Sequence, residues 1–143
     1  MSEEEQISEQ DLNNAVQTLE MYKAQLDTLA KHRELIETSL NEHKRGLETL
    51  KEYSNAKEGT EILVPIGGGT YLPAVVGKKK VMLALGAEYY SEEDFDRAIS
   101  EFEKRVEELE SSLSKVDESI RQINDRATQL SIILSDYYAK HQQ

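Results

Sequence analysis

The stretch EILVPIGGGTYLPAVVGKKKVMLALGAEYY (Glu61–Tyr90) decides how the chain folds. Its centre, VPIGGGTYLPAVV (Val64–Val76), carries no charge, in a chain that is 31% charged. Short apolar runs bounded by glycine read as β-strands joined by tight turns. The runs Glu61–Ile66, Thr70–Val76 and Lys80–Leu85 are closed by Gly67-Gly68-Gly69, by Gly77-Lys78-Lys79 and by Gly86-Ala87. Glu88–Tyr90 forms a short fourth run. The reading is two β-hairpins in succession over about 60–90. Pro65 and Pro73 cannot donate ladder hydrogen bonds, which favours edge or bulge positions for both.

A triple glycine also invites a phosphate test, and the sequence fails it. In a G-x-G-x-x-G pattern Gly67 and Gly69 fit, but the last position is Leu72. A P-loop ending at Gly77-Lys78 needs glycine at 72 and a hydroxyl residue at 79, where Leu72 and Lys79 stand. The segment also runs into a strand rather than a helix N-terminus, so the dipole that would hold an anion is missing.

Outward from this middle lie two long helical arms. In the second, Phe95, Ile99, Phe102, Val106, Leu109, Leu113, Val116, Ile120, Ile123, Ala127, Leu130, Leu134 and Tyr137 alternate spacings of four and three. That is a heptad seam. Ser91-Glu92-Glu93-Asp94 reads as a hydroxyl cap followed by carboxylates at the positive end of a helix, predicting a helix over about 91–141. The first arm, about 8–56, has a rougher seam. Leu12, Leu19, Leu26, Leu40 and Leu47 share one heptad position, interrupted by Arg33. Ala15, Tyr22, Leu29, Ile36, His43 and Leu50 take the other. The polar members Arg33 and His43 weaken this seam. Arms of nearly equal length around a compact middle predict an antiparallel pair, each helix burying the other's seam. A parallel homodimer with an interrupted middle is the alternative.

Charge follows the same division. Residues 1–58 hold seven basic and thirteen acidic side chains, 59–90 three and two, and 91–143 seven and thirteen, within a net charge of −11. Two acidic arms exclude non-specific nucleic-acid binding, which depends on Lys and Arg, and disfavour anionic membranes. The start MSEEEQISEQ has no apolar h-region and no run approaches a membrane span, so a cytosolic protein is expected. The absence of cysteine removes disulfides, thiolate metal sites and a cysteine nucleophile. His32, His43 and His141 have no metal-ligand spacing, and no desolvated carboxylate cleft is implied. Neither an enzyme nor a cofactor is expected.

Two features point to binding. Three or four short strands cannot bury apolar side chains on both faces, and helices paired with each other cannot cover them. The middle therefore needs strands from another chain. At the other end, large apolar residues leave the seam: Ile7, Val16 and Met21 on the first arm, and Ile132, Ile133 and Tyr138 on the second. Between 91 and 129 the one apolar residue off the seam is Ala98. The cluster reads either as a local cap or as an adaptable surface for apolar partners.

Helix, two hairpins and helix, with VPIGGGTYLPAVV and VMLALGAEYY (Val81–Tyr90) between the arms, closely resembles the alpha class of prefoldin subunits. The resemblance implies an α+β fold: a long antiparallel two-helix coiled coil with two β-hairpins inserted, the hairpins joining an intersubunit β-barrel. It implies a single prefoldin-like domain over 1–143 and a hexamer of two alpha and four beta-class subunits. The implied function is ATP-independent: unfolded polypeptide clients are held near the coiled-coil tips and passed to a group II chaperonin. On this chain the client-binding candidates are Ile7, Leu12, Val16, Leu19, Met21, Leu130, Ile132, Ile133, Leu134, Tyr137 and Tyr138. The assembly candidates are Ile62, Val64, Ile66, Tyr71, Leu72, Val75, Val81, Leu83 and Leu85. A structural coiled-coil adaptor, dimerised through its strands, is the alternative function.

Overall fold

A computed structural model describes residues 9–141. The order is α1 (Glu9–Asn55), β1 (Glu61–Gly67), β2 (Thr70–Val75), β3 (Lys80–Gly86), β4 (Tyr89–Asp94) and α2 (Phe95–His141). The strands form two separate antiparallel sheets, β1 with β2 and β3 with β4. The chain divides into two compact units. One takes the helices up to Glu37 and from Ser111 on; the other runs from Thr38 to Glu110 and holds both hairpins.

The seams behave as their spacing requires. All thirteen seam residues of α2 are buried or half-buried, as are all twelve of α1, Arg33 and His43 included. In the first unit Ile36, Val116, Ala127 and Leu134 are buried outright. Arg33 does not leave a hole there. Its Nε donates to Asp117 Oδ1 at 2.6 Å and its Nη1 to Glu37 Oε2 at 2.7 Å. The hydrogen bond to Asp117, then that group's charge, raises the guanidinium pKa above its ordinary value. A raised basic pKa keeps the guanidinium charged up to strongly alkaline solution, so on the basic side the contribution of Arg33 is lost only there.

In the second unit Leu40, Val76, Leu83, Phe95 and Ala98 form the core. Lys44 meets Glu110 at 3.4 Å and Lys51 meets Glu103 at 3.6 Å, so partners rise along α1 as they fall along α2. Such exposed pairs add about 0–1 kcal/mol each and serve mainly to fix register. His43 packs its ring 5.4 Å from that of Phe102, while Ser39 O lies 2.7 Å from its Nδ1. Phe102 in turn lies against the backbone of Gly46, where an added Cβ would come within 2.6 Å of its Cε1. Glycine normally costs a helix interior about 1 kcal/mol relative to alanine. Here Gly46→Ala is expected to reverse sign and lower stability by about 1 kcal/mol, because overpacking costs about 1–3 kcal/mol. Urea unfolding measures it, and the added change Phe102→Leu should recover part of the loss.

The helix ends are satisfied by neighbouring segments. The last turn of α1 contains no basic residue, and Lys79 Nζ reaches the carbonyl of Ser54 at 2.5 Å, placing a cation at the negative helix end. At α2, Asp94 is the cap: its Oδ1 accepts from the backbone N–H of Arg97 at 2.9 Å. This corrects the expected helix start at Ser91. Ser91, Glu92 and Glu93 extend β4, pairing with Leu83, Met82 and Val81, so the hairpins run to Asp94 rather than to about 90.

The two hairpins are built alike. Gly67 pairs with Thr70 after a one-residue register shift past Pro65, and Gly86 pairs with Tyr89 after the same shift past Ala84. Both turns have positive φ at their two central residues, as type I′ turns do. The first uses Gly68 and Gly69; the second uses Ala87 (φ 49°) and Glu88 (φ 66°). A side chain in that region costs about 1–2 kcal/mol. The double change Ala87→Asn, Glu88→Gly, which installs the residue pair type I′ turns favour, should therefore stabilise the chain by about 1–2 kcal/mol. A higher urea midpoint with unchanged slope checks it.

Candidate functional site

Among the described residues the candidate sites are two apolar surfaces. Among the described residues no three His, Asp or Glu side chains stand where they could hold a metal ion. No helix among them is long and apolar enough to cross a membrane.

The first surface is the pair of hairpins. Of the residues expected there, Val64, Ile66, Tyr71, Leu72, Val75 and Leu85 are exposed, and Ile62 and Val81 are half-buried. Leu83 is a correction: it is buried within its own unit and does not face outward. Four further large side chains are exposed here, Leu63, Met82, Tyr89 and Tyr90, with Tyr89 the most open at 72%. No candidate was taken from the fourth run, so Tyr89 and Tyr90 were passed over, and strand alternation explains the other two. Leu63 and Met82 have the opposite parity to Val64 and Leu83, and choosing one face of β1 and of β3 discards the other. Had both faces been required to meet other chains, both parities would have counted. So many large apolar side chains exposed on two hairpins make them a candidate interaction surface.

The second surface belongs to the other unit. Met21, Ile132, Ile133 and Tyr138 are exposed, each between 47% and 55%. Leu12, Val16, Leu19, Leu130 and Tyr137 are half-buried. Leu134 is again a correction, since the seam buries it. Ile7 lies outside the described residues. Two grooves flank the seam. One, of about 440 Å³, is lined by Leu19, Lys23, Leu26, Asn124, Ala127, Thr128, Ser131, Ile132 and Ser135. The other, of about 580 Å³, is lined by Met21, Ala24, Gln25, Thr28, Leu29, Ser119 and Ile123. Their origin is local: Ala24, Thr28, Ser119 and Ser131 on the flank and Ala127 on the seam are short beside the larger seam residues. No periodicity count weighs side-chain size, so the grooves were not visible in the heptad pattern. At the end of α2, Tyr137 stacks on His141 at 4.1 Å and meets Tyr138 edge-on at 6.0 Å.

Comparison with known proteins bears on the family and the fold. The family model described as prefoldin subunit matches residues 22–140. The prefoldin subunit alpha of Thermococcus onnurineus is 35% identical over 82 residues, which is 56% of either chain. That of Pyrococcus horikoshii is 36% identical over 83 residues, 57% of this chain and 56% of its own. The chain thus matches a little over half the length of these relatives. Among solved structures, filamentous PFD from Methanocaldococcus jannaschii superposes with a TM-score of 0.66 at 21% identity, covering 81% of this chain and 97% of that one. The prefoldin beta subunit from Thermococcus strain KS-1 gives 0.61 at 17% identity, covering 92% and 94%. At these identities the structural matches speak for the fold.

Proposed function

The chain belongs to the prefoldin family, and we propose that it acts as an alpha-class subunit of an ATP-independent chaperone in the cytoplasm. The hairpins join those of beta-class subunits in an intersubunit β-barrel, two alpha with four beta. The apolar surface around Met21, Ile132, Ile133 and Tyr138 holds unfolded polypeptide, which is then passed to a group II chaperonin. No nucleotide, metal or cofactor takes part.

One observation carries this reading. Among the described residues, apart from Leu35, the large exposed apolar side chains fall into two sets, one on the hairpins and one on the unit that contains the helix ends. A subunit that both assembles and holds clients needs two such surfaces; an adaptor dimerised through its strands needs only the first. Half-exposed side chains beside shallow grooves suit clients of varied sequence, because they add apolar area without a fixed shape.

The deciding experiment follows the aggregation of a denatured client by light scattering, with the chain alone and with its beta-class partner, alongside the assembled mass. The expected result is suppression without ATP by a complex heavier than either component. An assembly of the expected mass that leaves aggregation unchanged would favour the adaptor.

A further inference from the structure

Against a net charge of −11, four of the chain's lysines stand together. Lys57, Lys78, Lys79 and Lys80, with Glu58, line a groove of about 570 Å³ in the unit that holds the hairpins. It forms where the segment leaving α1 meets the link between β2 and β3, and main-chain bonds pin the two together. Gly59 N–H donates to Val76 O at 2.8 Å and Val76 N–H to Thr60 O at 2.9 Å, with the Val76 side chain buried. Thr60 N–H donates to Lys57 O at 3.1 Å and Lys80 N–H to Lys78 O at 2.9 Å, so these lysines project from a hydrogen-bonded main chain.

The four ammonium groups are not equivalent. Lys79 is half-buried and its Nζ donates to Ser54 O, so its charge serves the end of α1. Lys57, Lys78 and Lys80 are exposed, and among the described residues none of them forms an ion pair. Nor does any hydrogen bond among the described residues take the amide N–H of Gly77, Lys78 or Lys79. Three like charges side by side repel one another, and of the residues lining the groove only Glu58 offsets them. Cationic and main-chain donors are thus gathered at one place without an acceptor.

We propose that this groove binds a carboxylate-rich peptide segment of a partner protein. Its volume lies within the range of ligand clefts, about 300–1,000 Å³, with room for a few side chains. Lysine is a compact charge on a flexible stem, which suits carboxylates at varied spacing. Glu58 decides against phosphate polymers. An acidic peptide brings main-chain N–H groups that this carboxylate can accept, whereas a polyphosphate brings only further negative charge. The acidic arms act the same way, since a long polyanion meets their repulsion and a short segment lies against the lysines alone. Unlike the two apolar surfaces, the groove selects its partner by charge, and it rests on neither the assembly nor the client reading.

Fluorescein-labelled hexaglutamate, titrated with the full chain alone and with the chain assembled with its beta-class partner, provides the test by fluorescence anisotropy. The expected result is saturable binding in both states that weakens as salt rises, with hexaglutamine inert. Lys78→Gln with Lys80→Gln should weaken it at least about tenfold, since each ammonium–carboxylate contact at about 4 Å is worth several-fold even in water. Lys104→Gln with Lys115→Gln removes the same charge outside the groove and should change it by less than about twofold, because distant charges are screened. Acetylation of the unaltered chain gives a second readout: hexaglutamate should shield Lys57, Lys78 and Lys80 but not Lys104 or Lys115. Equal weakening by the two double variants, or equal acetylation with and without hexaglutamate, overturns the site. Tighter binding of a polyphosphate of the same charge overturns the peptide as its ligand. Loss of binding on assembly would make these lysines part of the subunit interface and overturn the proposal.

Discussion

Met21→Glu, Ile132→Glu, Ile133→Glu and Tyr138→Glu, introduced together, are expected to abolish client protection while leaving the assembled mass unchanged. All four side chains are about half-exposed, so a bound client can cover roughly half of each. Full burial of such a side chain is worth about 1.5–3 kcal/mol, so the four together contribute more than about 3 kcal/mol, over a hundredfold in affinity. Glutamate is a good helix former, and all four positions lie on exposed faces of α1 or α2, so the helices persist. The hairpins are untouched, and assembly serves as the internal control. Light scattering of a denatured client reads the loss. A variant of normal mass that still protects the client fully would remove this surface from the function.

Phe95→Ala should destabilise the chain by about 3–5 kcal/mol, the usual cost of emptying a buried aromatic site. Phe95 is 7% exposed and stacks on Tyr53 at 5.3 Å with the rings 16° apart. It is the first residue of α2, directly after the Asp94 cap, and so joins β4, α2 and α1 at one point. Its neighbour in the core, Ala98, is fully buried and too small to fill the space. Phe95→Leu, which keeps most of the volume, should cost less than about 1.5 kcal/mol. Urea unfolding of the two variants gives the comparison. A loss below about 1 kcal/mol for the alanine variant would mean that the site collapses around the gap.

Where one rule governs a segment, the sequence was legible. Two long helices were plain because heptad spacing persists over many turns, and every seam residue came out at least half-buried. The hairpins were plain because glycines close the apolar runs, although only the first turn has glycine at both central positive-φ positions, the second having Ala87 and Glu88 there. Reading failed where two rules competed. Ser91-Glu92-Glu93-Asp94 satisfies a helix-start pattern, but pairing with β3 holds its first three residues in a strand and leaves capping to Asp94. Ala98 breaks the heptad yet is buried, because the core around Phe95 extends beyond the seam. Arg33 looked like a defect, since its partners Asp117 and Glu37 cannot be inferred from one helix alone. For the candidate sites, Leu83 and Leu134 show the limit: apolar residues were placed on surfaces, while tertiary packing decides which of them stay outside.

The bond between Arg33 and Asp117 also sets a clock for synthesis. The two residues are 84 positions apart, and a ribosome adding about 5–20 residues per second needs roughly 4–17 s to supply the second. During that interval the apolar stripe of α1 has no intramolecular mate, whereas each hairpin can close within about 1–10 μs of emerging. Nascent chains arrested before Ser111 should therefore be cut readily by protease within α1, and release of the complete α2 should end that sensitivity. A chain proposed to shield other incomplete chains would then share their vulnerability during its own translation.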